Sequence, residues 1–525
     1  MRGSGPTIGV DQGYGETANS LSAEPSQNSR LRLRIGWEDA MDRLSALDAS
    51  FLYGETPESP MHVAGLAIFE PPPAGSDVFA AFRDHLKSRL HLVPFFERKL
   101  VLMPIQLDHP IWVHDDNLDL DYHFRHVSLP KPGTLEQLET LVARLHMILL
   151  DRTRPLWQYY VIEGLERGGF AVYIKMHHAG IDGGAGMAAL PIIFATSPDP
   201  EPAPPPLPSP RDSRIPEIFE LISDSYAKFF TQQREFYESW PDLGKAIAKV
   251  GQRVTADLAN PPRTLPLAPK TLFNVSLSSQ RSFGTCTISL RDVKAVAKLT
   301  RSKVNDIVMT ISAGALRRYL EIRNALPDGP LLAAVPVSLR KAGNAEMNNQ
   351  VTAMLCNLAT DIADPIRRLE AIVASSTDSK KRLEDFRDVI PTDMTWLGAP
   401  IIITGMARLM GQAKLAERLP AIVNVLISNV PGPREALYCA GAKMIHYFPV
   451  SIPSNGSVLN ITVQSYLDNL DFGLIACRAA VPDIEKLTEF LAEEFQRLKK
   501  AAGETPEKKV KKIEMKQVKA AQRSA

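Results

Sequence analysis

The segment His177-His178-Ala-Gly-Ile-Asp182-Gly183 gathers two imidazoles, a carboxylate and a glycine. An imidazole with a pKa near ~6.5 can take a proton from a hydroxyl and return it within one turnover. The apolar run ahead of it, 170–176, alternates as a strand does, with Phe170, Val172, Ile174 and Met176 on one face. The small residues of 184–190 then read as a turn entering a helix. A histidine at a strand end stands on rigid backbone yet can face a cleft, which suits a general base. Zinc is a poor fit. Adjacent strand residues face opposite sides, and neither an HExxH nor a third nearby histidine is present. The chain also lacks GxSxG, so no nucleophile elbow is visible.

The elements that must position this segment are legible in part. Ser45 to Phe51 predicts a short capped helix and Met61 to Phe69 a strand. Helical periodicity runs over Val78–Leu90 and Leu135–Leu149, and Tyr159–Ile162 reads as a strand pairing with 170–176. The proline-rich stretch Ser197–Pro210 predicts an extended linker, followed by helical periodicity over Glu217–Leu258 and a second proline-rich break at Asn260–Pro269. Beyond it come a strand at Phe283–Leu290, a helix over 291–299, a second helix after Lys303-Val-Asn305-Asp306, and a buried strand at Leu331–Val337. A hairpin over 459–477 and a closing helix at Ile484–Leu498 complete the pattern. Both halves mix strands and helices, so the expectation is a two-domain α/β protein with a cleft between the halves. The expected divisions are an extension over 1–36, a first domain over 37–196, a linker with connecting helices over 197–281, a second domain over 282–500 and a basic tail over 501–525.

Composition narrows the classes. The 525 residues exceed one ordinary core, 45% are hydrophobic and 23% charged, and the net charge is +1. Such a balance does not hold nucleic acid by bulk electrostatics. Four scattered cysteines without a CxxC pair suggest reduced thiols rather than a disulfide framework or zinc site. No apolar run reaches the length of a membrane span, and residues 1–36 have no signal-peptide core; Met41 is a plausible alternative start. A cytoplasmic protein is therefore expected.

Further motifs stand in order around the histidines: Leu44 to Phe51, Pro60-Met-His-Val63, Pro155-Leu156-Trp157, Asn305-Asp306, and Asn429-Val-Pro431-Gly432-Pro433. With HHxxxDG matched by His177, His178, Asp182 and Gly183, the chain resembles the bacterial wax ester synthase/diacylglycerol acyltransferase family. That family lies within the chloramphenicol-acetyltransferase-like superfamily of CoA-dependent acyltransferases. The resemblance covers roughly Asp42 to Leu498. It implies an α/β fold of two such domains, with mixed sheets flanked by helices and an active-site tunnel between them.

The resemblance also implies roles. His178 matches the general base, and His177 either orients it, lines the tunnel or packs. Asp182 matches a structural acid paired with Arg340 rather than a relay partner, with Gly183 supporting the turn. Asn305 is a donor toward the oxyanion and Asp306 fixes its helix start; the alternative is a plain N-cap pair. Pro155, Leu156 and Trp157 form a second motif, Trp157 reading as core, while Asn429, Pro431, Gly432 and Pro433 shape a rigid loop at the tunnel wall. The implied reaction moves a long-chain acyl group from acyl-CoA to diacylglycerol or a fatty alcohol, with no metal or organic cofactor. Peripheral contact with the inner membrane or a lipid inclusion follows from such substrates, with Trp396–Met410 and the basic tail as anchors. Another acceptor or a condensation reaction, a lipid-binding protein of the same fold, and a hydrolase remain as alternatives.

Overall fold

A computed structural model describes residues 42–103, 109–181, 183–206, 267–338, 351–386, 404–405 and 413–503. The first half contributes α1 (Ala46–Gly54), β1 (His62–Phe69), α2 (Val78–Lys87), β2 (Arg98–Val101), β3 (Ile111–His114) and α3 (Leu120–His123). It continues with β4 (Phe124–Ser128), α4 (Leu135–His146), β5 (Trp157–Glu163), β6 (Phe170–His177) and α5 (Gly183–Ile193). The second half supplies β7 (Arg281–Ser289), α6 (Leu290–Thr300), α7 (Val304–Glu321), β8 (Leu332–Ser338), β9 (Val351–Asn357) and α8 (Pro365–Phe386). Then follow β10 (Val425–Val430), β11 (Tyr438–Cys439), β12 (Ala442–Val450), β13 (Leu459–Tyr466), β14 (Asn469–Cys477) and α9 (Ile484–Gly503).

Local chemistry accounts for the helix starts. The Ser45 hydroxyl accepts from the Asp48 N–H at 3.1 Å and opens α1, and Asp77 caps α2 in the same way. Thr134 and Gln137 form a reciprocal capping box at α4.

Two six-stranded mixed sheets carry the fold, in the orders β11-β12-β1-β6-β5-β4 and β7-β14-β13-β10-β8-β9. In the first, β1 lies antiparallel to both β6 and β12, so a strand from the second half of the chain completes the sheet of the first. Asp471 on β14 anchors that strand. Its carboxylate accepts from the Tyr447 N–H at 2.9 Å and the Thr287 hydroxyl at 2.6 Å, and it lies 3.1 Å from His446 Nδ1. Residues 442–450, expected within the second domain, thus pair into the first sheet. Local periodicity finds a strand but not a partner hundreds of residues away.

Between the sheets, α4 packs Leu138, Val142 and Leu145 against Leu66 and Tyr173 of the first sheet and Phe283 and Ile475 of the second. Consequently β6 is buried on both faces along its whole length, not on one. The outer face of the first sheet carries α1, α2 and α5, and that of the second carries α6 to α9 around an aliphatic core. Within the described residues, the strands and helices read from sequence have counterparts here; β2, β3, α3, β4, β9, α8, β10, β11 and β12 are additional. The described part of the proline-rich linker, 197–206, has neither helix nor strand. Residues 1–36, the helical stretch 217–258 and the basic tail lie outside the described residues, as does Trp396–Met410 apart from 404–405.

Two buried carboxylates test this packing. Glu139 of α4 accepts from the N–H and hydroxyl of Thr285 on β7, at 2.7 and 2.6 Å. Burial nevertheless dominates and, with Glu136 and Glu485 nearby, raises its pKa from 4.5 to about 7. Folding thus favours the protonated acid. Its contribution is complete below pH 4.5 and is lost as pH rises through 7. The stability of the native chain relative to Glu139→Gln, measured by urea unfolding, should fall by about 3 kcal/mol across that window. The second carboxylate, Glu494 of α9, pairs with Arg368 of α8 at 3.1 Å, both side chains buried. They meet directly over Gly314 of α7, where a Cβ would overlap both groups. Gly314→Ala should therefore lower unfolding stability by about 1–3 kcal/mol, read from the same titration.

Candidate functional site

β6 ends at His177, and His178 opens the turn that follows. His177 is fully buried, and its Nδ1 accepts from the Ala179 N–H at 3.1 Å. That leaves the ring proton on Nε2, which faces Glu55 Oε2 at 3.3 Å. The remaining contacts of Glu55 are also short: Oε1 meets Arg152 Nη2 at 2.8 Å and Nε at 3.2 Å, and Oε2 accepts from the Met61 N–H at 3.1 Å. Burial alone would raise this carboxyl, but His177 and Arg152 outweigh it and hold the pKa at about 2. Sequence reading missed Glu55. A lone glutamate after a short helix carries no signal until the histidine is placed beside it.

The half-buried ring of His178 stacks on Phe51 of α1, with centroids 4.2 Å apart and planes 3° from parallel. Its backbone N–H donates to the Met61 carbonyl at 2.9 Å, tying it to the strand entrance. Two residues back from His177, Lys175 is buried and donates to the Leu145 and Ile148 carbonyls at the end of α4. Burial pushes its pKa down to about 7, against an opposing pull from Glu55.

The other motif residues converge on this segment. The Leu156 carbonyl accepts from the His177 N–H at 3.0 Å, while Trp157 is wholly buried, stacked on His123 and donating to the Phe96 carbonyl at 3.0 Å. Pro155 is buried beside them. From the second half, Val430 lies 3.6 Å from where a side chain at Gly183 would begin. Its neighbour Asn429 donates from Nδ2 to Asn305 Oδ1 at 3.4 Å, leaving the Asn305 amide nitrogen as a donor. Pro431-Gly432-Pro433 continues from there. The Gly432 N–H donates to the Ser465 hydroxyl at 3.1 Å, and a Cβ at Gly432 would collide with the Ser465 carbonyl. Gln464, buried next to this loop, has a side-chain nitrogen with no partner and was not singled out from sequence. Asp182 and Arg340 lie outside the described residues.

A cavity of about 320 Å³ adjoins Glu55, lined by Leu52, Tyr53, Met103, Leu149, Leu150 and Arg152. Leu102, on its rim, is exposed. Among the described residues no group of three or more His, Cys, Asp or Glu could hold a metal ion. Nor is any described helix long and apolar enough to cross a membrane.

Asp306 stands one residue past Asn305 and is buried. Its carboxylate accepts from the Lys303 N–H at 2.9 Å and the Ser376 hydroxyl at 3.3 Å, fixing the first turn of α7 against α8. Asp306→Ala should cost about 1–2 kcal/mol of stability in urea unfolding.

Residues 44–308 match the wax ester synthase/diacylglycerol acyltransferase catalytic domain, and residues 347–499 the C-terminal domain of the same family. The probable diacylglycerol O-acyltransferase tgs2 of Mycobacterium tuberculosis is 36% identical over 468 residues, spanning 88% of this chain and 100% of that protein. The O-acyltransferase WSD of Acinetobacter baylyi is 36% identical over 460 residues, covering 87% of this chain and 96% of the relative. Among solved structures, the wax ester synthase/diacylglycerol acyltransferase from Marinobacter aquaeolei VT8 aligns at a TM-score of 0.63 and 31% identity, over 88% of this chain and 100% of that one. The first condensation domain of the calcium-dependent antibiotic synthetase shares the fold at a TM-score of 0.53 and 13% identity, over 88% of this chain and 96% of that one. With both of its family domains matched in order, and relatives 36% identical over almost their whole length, the chain belongs to the wax ester synthase/diacylglycerol acyltransferase family.

Proposed function

We propose that this protein is an O-acyltransferase that moves a long-chain acyl group from acyl-CoA to diacylglycerol or a fatty alcohol, with His178 as general base. The observation that carries the reading is convergence. Phe51, Met61, Leu156 and, from the other sheet, Val430 meet the His177–Gly183 segment, and Asn305 is joined to Val430's neighbour Asn429. A lipid-binding role would not need a half-buried imidazole clamped between an aromatic face and a strand entrance.

The step balances with the two substrates alone. The His178 imidazole takes the proton of the alcohol as its oxygen attacks the thioester carbonyl carbon. The carbonyl π electrons move onto oxygen, and the Asn305 amide nitrogen is the side-chain donor assigned to that oxyanion. Collapse re-forms the carbonyl, breaks the C–S bond, and the leaving CoA sulfur takes the proton back from the imidazolium. Asp182 and Arg340 belong to the reading as a structural ion pair, and His177 as the support behind the base. The adjoining apolar cavity and exposed Leu102 and Leu149 suit an acyl chain arriving from a lipid surface, so peripheral lipid contact belongs to the same reading.

Purified protein incubated with labelled palmitoyl-CoA and either dioleoylglycerol or hexadecanol should yield triacylglycerol or wax ester. A folded His178→Ala variant should be slower by about 10²–10⁴-fold. CoA release without ester, or undiminished ester formation by the variant, would overturn the assignment.

A further inference from the structure

The fold commits a buried carboxylate to the rear of the site, and the proposed chemistry does not use it. Resting on the reading of His178 as base, we propose that Glu55 is a positioning residue that sets the orientation of His178 through three separate contacts.

The first contact runs through Met61. Its N–H donates to Glu55 Oε2 at 3.1 Å, and its carbonyl accepts the His178 N–H at 2.9 Å. One residue therefore links the carboxylate to the backbone of the base. The second runs through His177, whose Nε2 sits 3.3 Å from the same oxygen and whose Nδ1 holds the Ala179 N–H. The residues on both sides of His178 are thus fixed by one carboxylate. The third runs through Arg152. Glu55 Oε1 meets Arg152 at 2.8 Å, and Arg152 donates to the Leu52 carbonyl at 2.7 Å. Leu52 adjoins Phe51, the ring on which His178 stacks. Backbone, flanking turn and stacking face all trace to a group with 3% of its side-chain surface exposed. A merely space-filling residue would not need its charge matched by Arg152 or its two oxygens divided between the α1 side and the strand end.

The charged and titratable groups around this network come from several elements. Arg152 and His177 face Glu55 directly, Lys175 acts on it from within β6, and buried His62 and His146 lie beyond Lys175. Removing the carboxylate charge leaves Arg152 unneutralised behind the base, which disfavours the imidazolium.

The test compares the full chain with Glu55→Gln, Glu55→Asp and His178→Ala, each normalised to its folded fraction. Glu55→Gln should lower kcat about tenfold or more with the KM for palmitoyl-CoA within about twofold, since geometry at the base is lost and donor binding is not. The acid limb of its kcat–pH profile should move to lower pH. Glu55→Asp keeps the charge, so its acid limb should stay at the native position with kcat between the other two. Carbethoxylation of His178, mapped by peptide mass against pH, supplies a readout independent of turnover; its midpoint should fall by about half a pH unit or more in Glu55→Gln. Unchanged kcat, or a loss of kcat with both the acid limb and the carbethoxylation midpoint unmoved, would overturn the positioning role. If the native chain forms no ester, or His178→Ala matches it, the reading of the base fails. The carbethoxylation midpoint then decides the Glu55 network by itself.

Discussion

The pairing of β1 with β12 is the constraint on which the other features depend. It draws residues 442–450 out of the second half of the chain and seats them beside the strand that also pairs with β6. Once that register is set, the preceding loop and β10 cannot be elsewhere than near the start of α5, and Val430 meets Gly183. Asp471 secures the exchange from the other sheet. A carboxylate that accepts from the backbone of β12 and from a hydroxyl on β7 joins three strands at one point. Hydrogen bonds to a charged acceptor in such a setting are among the stronger ones a fold can use. The second half of the chain therefore supplies a strand to the sheet whose β6 ends at the histidine pair.

Much of this was legible in the residues. The alternation of Phe170 to Met176, the serine before α1, the periodicity of α4 and the small-residue start of α5 each follow from local chemistry, and the structure has them where that chemistry puts them. The histidine pair was visible for the same reason. What remained hidden was relational. Nothing near Asn429 reveals that its amide reaches Asn305 over a separation of 124 residues, and nothing near Glu55 reveals His177. The double burial of β6 was missed because Ala171, Tyr173 and Lys175 do not announce a buried face. The lysine enters only because the carbonyls ending α4 stand ready to accept from it. Strand β12 was missed for a related reason: its partner lies in a different region of the sequence.

The two histidines also show how one short motif divides labour. A single imidazole in a cleft would have to be both supported and available, and those demands compete. Dividing them between neighbours lets buried His177 hold the Ala179 N–H and face Glu55 while half-buried His178 stacks on Phe51. The cost is a buried ionised network, and Arg152 offsets it by matching the Glu55 charge at close range.

The shared strand has a consequence for synthesis. A chain emerging from the ribosome delivers β1, β6, β5 and β4 early, but β12 only after several hundred further residues, a delay on the order of tens of seconds. During that interval β1 is a bare sheet edge carrying Leu66, Ala67 and Phe69, and such edges invite pairing with other chains. The first half therefore cannot reach its final form as it is made. Its last step of folding waits for the second half, and contacts of such long sequence separation slow that step further. Truncation before 442 would leave the first sheet ending at β1, with an unpaired edge, rather than a protein shorter by one intact domain.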